Sequence, residues 1–146
     1  MYPDRRVSDF ISTNFAPVKI HVKEQPDTFK RFGVQWTPTL MVLDPDGKEQ
    51  YRFEGYLPPE DFLAQLELGL AKSDFAHGAF ADAERRFREI VQKYSKSESA
   101  AEAAYWAGVS KYKASGDAGA LRETAAETKR LYPASSWTKK ASVWAA

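Results

Sequence analysis

The sequence predicts an α/β unit in the first half of the chain and an all-α unit in the second half. Residues 1–71 mix β-branched runs with proline and glycine, and their 8 Lys/Arg against 11 Asp/Glu give a net charge of −3. Residues 72–146 are rich in Ala, Glu, Lys and Arg at helical spacing, with 13 basic and 9 acidic residues and a net charge of +4. A length of 146 residues suffices for one domain or for two small units packed together.

The opening of the α/β unit is predicted to be a helix, a strand and a second helix. Residues 4–14 have the apolar spacing of one helical face, with Val7, Phe10 and Ile11 at i, i+3 and i+4. Residues 18–22 alternate apolar and polar side chains, which predicts a short strand. Pro26 suits a first helical position and Gly33 suits a helix end, so a short helix is expected over 26–32.

A β-hairpin and a longer helix are predicted to follow. Residues 39–43 form an apolar run, 44–47 read Asp-Pro-Asp-Gly and 48–54 alternate, which together predict two strands around a turn. Pro58 and Pro59 then open a helix with Phe62, Leu63, Leu66 and Leu70 on one stripe. The element order of the first unit is therefore β-α-β-β-α after the opening helix, an α/β arrangement.

Residues 1–72 resemble the thioredoxin-like superfamily. The resemblance rests on Phe32-Gly33-Val34, on Thr37-Pro38-Thr39 leading into a strand, and on the DPDG-type turn before a second strand. It implies a cis peptide bond before Pro38 and a loop that presents backbone groups to an extended peptide. The resemblance therefore implies a peptide-binding site at Trp36, Thr37, Pro38 and Thr39, with Tyr56 beside it; the alternative is that Pro38 only opens a strand.

The chain departs from that family in its redox motif. It contains no cysteine, so it has no thiolate for thiol–disulfide exchange. The family's strand and Cys-x-x-Cys should precede the helix at 4–14, where this chain begins. Two explanations remain open: an N-terminally incomplete piece of a redox protein, or a noncatalytic derivative with a rebuilt sheet. In either case the strands at 18–22 and 39–43 are expected to have unpaired edges that favour a homodimer.

Residues 66–146 resemble tetratricopeptide-type helical repeats. Gly78 and Gly116 lie 38 residues apart, as do Tyr94 and Tyr132. Helices are expected at about 59–77, 79–94, 98–115, 117–131 and 135–145. The predicted organisation is thus a partial thioredoxin-like domain at 1–72 and tetratricopeptide-like helical repeats at 73–146.

Aromatic residues are the candidate contacts of the helical half. The resemblance implies a repeat face that binds peptides or partner helices, with Tyr105, Tyr112 and Trp137 as candidate partner-binding residues. The competing interpretation, which we favour for Tyr105 and Tyr112, is helix–helix packing. Trp137 and Trp144 are seven residues apart and are expected on one helical face, where they either dock the last helix or form an exposed patch.

Composition narrows the remaining classes of function. The net charge of +1 disfavours a nucleic-acid partner, and no apolar run approaches the roughly 20 residues of a membrane span. His21 and His77 lie far apart in sequence, so neither a metal nor a cofactor is expected. The opening residues have no signal-peptide core, which predicts a cytoplasmic protein, or a periplasmic one if the true start lies upstream.

Two functions follow from these residues. The first is a noncatalytic thioredoxin-like and helical-repeat protein that mediates protein or peptide interaction. The second is a fragment of a thiol-disulfide oxidoreductase whose Cys-x-x-Cys lies upstream of Met1. Redox activity is not expected from this chain itself, since it has no cysteine.

Overall fold

A computed structural model describes residues 3–146, which form a small sheet followed by a helical region. In chain order the elements are α1 Arg5–Asn14, α2 Pro26–Arg31, β1 Thr39–Leu43, β2 Glu49–Glu54, α3 Pro59–Ala76, α4 Phe80–Lys93, α5 Glu98–Ser115, α6 Gly119–Leu131, α7 Ser136–Ala141 and a 3-10 turn Ser142–Trp144. The predicted helices agree with these bounds to within two residues, except that the last one becomes a 3-10 turn after Ala141.

The strand predicted at 18–22 is wrong. This segment has no regular structure until a turn at His21, whose carbonyl accepts from the backbone N–H of Gln25 at 2.8 Å. Val18 and Val22 are 79% and 45% exposed. Alternation shows which side chains could share a face, but a strand also needs a neighbour for its backbone groups, and no described segment pairs with this one. The observed order of the first unit is therefore α-α-β-β-α.

The predicted hairpin is present as an antiparallel pair of β1 and β2. Leu40 lies opposite Phe53 and Val42 opposite Tyr51, with a register shift after Val42. The turn is closed by the Asp44 carboxylate, which accepts from the backbone N–H of Lys48 at 2.8 Å. Among the described residues these two strands make up the whole sheet, so the outer edge of β1 is unpaired.

Helix α3 lies between the hairpin and the helical region. It contacts α1, β1 and β2 as well as α4 and α5. Its residues Phe62, Leu63 and Leu66 belong to one apolar cluster, completed by Val7 and by Phe53, whose ring meets that of Phe62 edge-on at 5.5 Å. Leu70, which was predicted on the same stripe as Phe62, Leu63 and Leu66, is only half-buried.

The helices from α3 to α7 each pack against the next along the chain. A second apolar cluster joins α3, α4 and α5 around the fully buried Phe87 and Ile90. Short loops connect the helices, with Gly78 and Gly116 at positive φ values of 78° and 73° that favour glycine. Over residues 3–146, no helix is both long enough and apolar enough to cross a membrane.

Candidate functional site

Hydrogen bonds fix the backbone of the loop from Trp36 to Thr39, whereas its largest side chain, Trp36, is exposed to solvent. The Thr37–Pro38 peptide bond is cis. The carbonyl of Pro38 accepts from the backbone N–H of Gly55 at 2.9 Å, and the Thr39 hydroxyl donates to the carbonyl of Trp36 at 2.6 Å. The indole of Trp36 is nevertheless 66% exposed. The loop therefore combines a hydrogen-bonded backbone with an exposed aromatic ring.

A second exposed aromatic residue lies at the same end of the hairpin. Tyr56 follows Gly55 directly, and its side chain is 83% exposed. Because Gly55 is hydrogen-bonded to Pro38, Trp36 and Tyr56 flank the two strand ends where the hairpin opens. The unpaired edge of β1 begins at this point, so backbone hydrogen-bonding groups lie next to the two rings.

Arg52 connects the hairpin to the segment that leads into this loop. Its guanidinium donates to the carbonyl of Phe32 and forms an ion pair with Glu49 at 2.6 Å. Arg52 therefore fixes the end of α2 relative to β2. The alternation of residues 48–54 puts Arg52 on the polar face of β2, but it gives no signal for this contact.

The aromatic residues of the helical half mostly contact one another. Tyr105 stacks on Trp144 with ring centroids 4.9 Å apart and meets Trp137 at 5.1 Å. Lys140 lies over the ring of Trp137 at 3.8 Å. Tyr105 and Trp137 thus form one half-buried cluster, whereas Tyr112 lies outside it and is 36% exposed. Trp144 reaches the cluster through the 3-10 turn, so the last helix docks on α5.

A polar contact that the sequence did not predict joins β2, α3 and α5. The ammonium of Lys72 forms an ion pair with Glu102 at 2.9 Å and lies 4.8 Å from the centre of the Tyr51 ring. The hydroxyl of Tyr51 donates to Gln65 of α3, and burial raises the pKa of Tyr51. These residues are far apart in sequence, so only the folded chain reveals that they meet.

Glu67 is a buried carboxylate between α3 and α4. Its side chain is 13% exposed, and its nearest cation is the Lys93 ammonium at 3.6 Å. The second carboxylate oxygen has no hydrogen-bond partner among the described residues. Burial raises the pKa of Glu67 above its ordinary value. The helical pattern gave no reason to single out this acid.

The histidines take no part in a cluster of ligands. His77 lies 3.4 Å from the Asp44 carboxylate, whose pKa is lowered first by its hydrogen bond from the Lys48 backbone. Within the part of the chain that the structure describes, no group of three or more His, Asp and Glu side chains is placed to hold a metal ion.

Comparison with known proteins gives a family match in the first half of the chain. Residues 2–70 match the family model of the thioredoxin-like domain. The match covers α1, α2, the hairpin and most of α3, and thus includes the Trp36–Thr39 loop. Comparison with curated proteins gives no match, and neither does comparison with solved structures. The findings therefore support a thioredoxin-like domain, followed by a helical region that the match does not reach.

Proposed function

We propose that this chain is a noncatalytic protein that binds a peptide or protein segment, with the Trp36–Thr39 loop as its main contact. One observation carries the proposal: a loop fixed by two hydrogen bonds presents an indole that is 66% exposed. A rigid loop loses little conformational entropy when it binds, and an exposed indole offers a large apolar contact. The adjacent free edge of β1 can add main-chain hydrogen bonds to an extended partner.

The helical region supplies the second part of this proposal. Its successive helix pairs are consistent with tetratricopeptide-like repeats, which bind partners without chemistry of their own. Tyr105 and Trp137 offer a half-buried aromatic surface, and Tyr112 is a separate exposed ring. We expect these three side chains to support binding less strongly than Trp36, since two of them already pack against neighbours.

The test is direct binding of labelled peptides to the full chain. Fluorescence anisotropy with a fluorescein-labelled peptide of alternating leucine and threonine measures affinity for an extended segment. We expect Trp36→Ala to weaken binding about tenfold or more, as for a central aromatic anchor, and Trp36→Phe to retain most of it. Val143→Ala removes an exposed apolar side chain elsewhere and is the control. Equal affinity for Trp36→Ala and the unaltered chain would remove this loop from the site.

A second candidate function is a piece of a thiol-disulfide oxidoreductase whose Cys-x-x-Cys lies upstream of Met1. The thioredoxin-like match at residues 2–70 favours it, whereas the chain itself has no cysteine. The intact mass of the protein purified from its native host separates the two candidates. A mass well above 16.5 kDa would favour the oxidoreductase, and a mass equal to that of this chain would favour the noncatalytic protein.

The free edge of β1 has a competing occupant, which is a second copy of the chain. Two-stranded sheets gain stability by adding a strand, and the described residues supply none. Sedimentation velocity at increasing protein concentration tests this homodimer. A monomer throughout would leave the edge available to a peptide.

A further inference from the structure

One segment of the first unit, residues 16–35, is joined to the rest of the fold by few hydrogen bonds. It contains the unpaired run 18–22 and the short helix α2, which makes no close backbone approach to any other described helix or strand. Its own hydrogen bonds are local, such as the one from the backbone N–H of Val34 to the carbonyl of Phe29 at 3.0 Å. This segment leads directly into Trp36, so whatever holds it in place also affects where the indole lies.

Arg52 of β2 holds this segment near its end. The Nη2 group of Arg52 donates to the carbonyl of Phe32, the residue that follows α2, and Nη1 approaches the carbonyl of Gly33 at 3.5 Å. Among the described residues, every hydrogen bond between the segment 16–35 and the rest of the fold comes from this one guanidinium. Arg52 therefore connects β2 to the chain that enters the Trp36–Thr39 loop.

The guanidinium of Arg52 is itself held by its neighbours on the hairpin. Oε1 of Glu49 accepts from Nε and Nη2 of Arg52 at 3.1 and 2.6 Å, and Sδ of Met41, the residue opposite on β1, lies 3.3 Å from Nη2. The Arg52 side chain is only 27% exposed. Because a guanidinium is planar and its donors point at fixed angles, the contact with Glu49 directs the remaining donors at the two carbonyl groups.

The carbonyl groups that Arg52 holds lie just before the exposed indole. Residues 33–36 lead from Phe32 to Trp36, whose own carbonyl accepts from the Thr39 hydroxyl at 2.6 Å. The chain around Trp36 is thus fixed by Arg52 on one side and by Thr39 on the other, while the indole remains 66% exposed. Without the bond from Arg52, the entering chain could move and the indole would sample more positions. Binding a partner would then cost more conformational entropy.

We propose that Arg52 is the positioning residue of the Trp36 site: its guanidinium, oriented by Glu49, holds the Phe32 carbonyl and thereby keeps the indole in its binding position before a partner arrives. Arg52 acts through the backbone and does not need to touch the partner. The proposal rests on the proposed peptide-binding function and adds the residue that controls the geometry of that same site.

The first measurement is the environment and mobility of Trp36 in the free chain. The protein contains four tryptophans, and labelling with fluorinated tryptophan gives each of them its own signal in fluorine NMR. The signal of Trp36 is identified by its absence from the spectrum of Trp36→Phe. We expect Arg52→Gln to shift or broaden the signal of Trp36 and to leave the other three signals unchanged. Glu49→Gln should act in the same direction but more weakly, because it removes the ion pair and leaves the bond from Arg52 to Phe32.

The second measurement is the affinity of the full chain for the fluorescein-labelled peptide of alternating leucine and threonine. Arg52→Gln should weaken binding about three- to tenfold, and Arg52→Lys, which keeps the charge but not the planar fork, should weaken it less. In a Trp36→Ala background, Arg52→Gln should have no further effect, because Arg52 acts through the indole. Arg85→Gln removes an arginine paired with Glu89 on α4 and is the control, which should change neither measurement. Circular dichroism verifies the folding of each variant.

The outcomes separate a positioning role from a structural one and from the proposed function. An unchanged Trp36 signal in Arg52→Gln, or equal weakening of binding with and without the indole, would refute the positioning role. A change in all four tryptophan signals would also refute it, since Arg52 would then support the whole fold. If the peptide binds Trp36→Ala as tightly as the unaltered chain, the proposed function fails at this loop, while the Trp36 signal still decides whether Arg52 orients the indole.

Discussion

Removing the Phe87 side chain should destabilise the distant hairpin as much as the helices around it. Phe87 is fully buried in the cluster that α4 shares with Leu68 of α3. Helix α3 also contributes Phe62 to the cluster beneath the hairpin. Because one helix belongs to both clusters, the two halves should unfold as a single cooperative unit.

The size of the effect follows from burial. A fully buried phenylalanine truncated to alanine typically costs about 3–5 kcal/mol, which combines the lost transfer energy and the cavity left behind. The total stability of a domain of this kind is about 5–15 kcal/mol, so a large part of it would be lost. With a urea m-value of about 2 kcal/mol per M, the midpoint of unfolding should fall by about 2 M.

Methyl NMR in a urea titration measures both halves in one sample. Val42 reports on the hairpin, and Ile90 reports on the helical cluster. We expect Phe87→Ala to lower both midpoints equally, whereas Tyr56→Ala, which removes an exposed ring, should move neither. A lower midpoint at Ile90 with an unchanged midpoint at Val42 would refute the reasoning, since the halves would then be independent.

Three further substitutions test single sites. Glu67→Gln should stabilise the protein at pH 7, because burial raises the pKa of Glu67 and its ionised form therefore costs stability above the ordinary pKa of 4.5; the gain should vanish towards pH 4 in urea unfolding. Gly108→Ala should lower stability by about 1–3 kcal/mol in thermal unfolding, because the new methyl group overlaps the buried Thr124 and this outweighs the better helix propensity. Asp44→Asn should destabilise at neutral pH, since the Lys48 backbone hydrogen bond lowers the pKa of Asp44, and the difference should shrink as acid protonates the unaltered Asp44.

The hairpin could be predicted from sequence because its determinants are local. The Asp-Pro-Asp-Gly turn contains a glycine at φ 81°, which few other residues adopt readily, and Asp44 closes the turn on itself. Alternation over 48–54 then indicates which face of β2 is apolar. The helix ends were predictable for the same reason: the Ser97 side chain accepts from the N–H of Ser99, and Gly116 ends the same helix.

The strand prediction at 18–22 was wrong because strand formation depends on non-local contacts. The alternation there is as regular as in β2, but a strand exists only where a neighbouring backbone completes its hydrogen bonds. Whether a neighbouring strand is present depends on the whole sheet, and a segment of five residues does not encode it. The contact of Lys72 with Glu102 and Tyr51 could not be predicted for the same reason, because its residues come from α3, α5 and β2.

Helix α3 packs against both halves of the chain and therefore fixes them relative to each other. A flexible linker would let the hairpin end and Trp137 move independently. A peptide that bound to both would then have to fix their relative position, which costs conformational entropy of the protein. Helix α3 instead packs on both sides, and the Lys72–Glu102 ion pair beside Tyr51 joins it to α5 and β2. The fold therefore fixes the position of the Trp36 loop relative to Trp137. If a partner contacts both, the two halves need no rearrangement to receive it, so binding costs little conformational entropy of the protein.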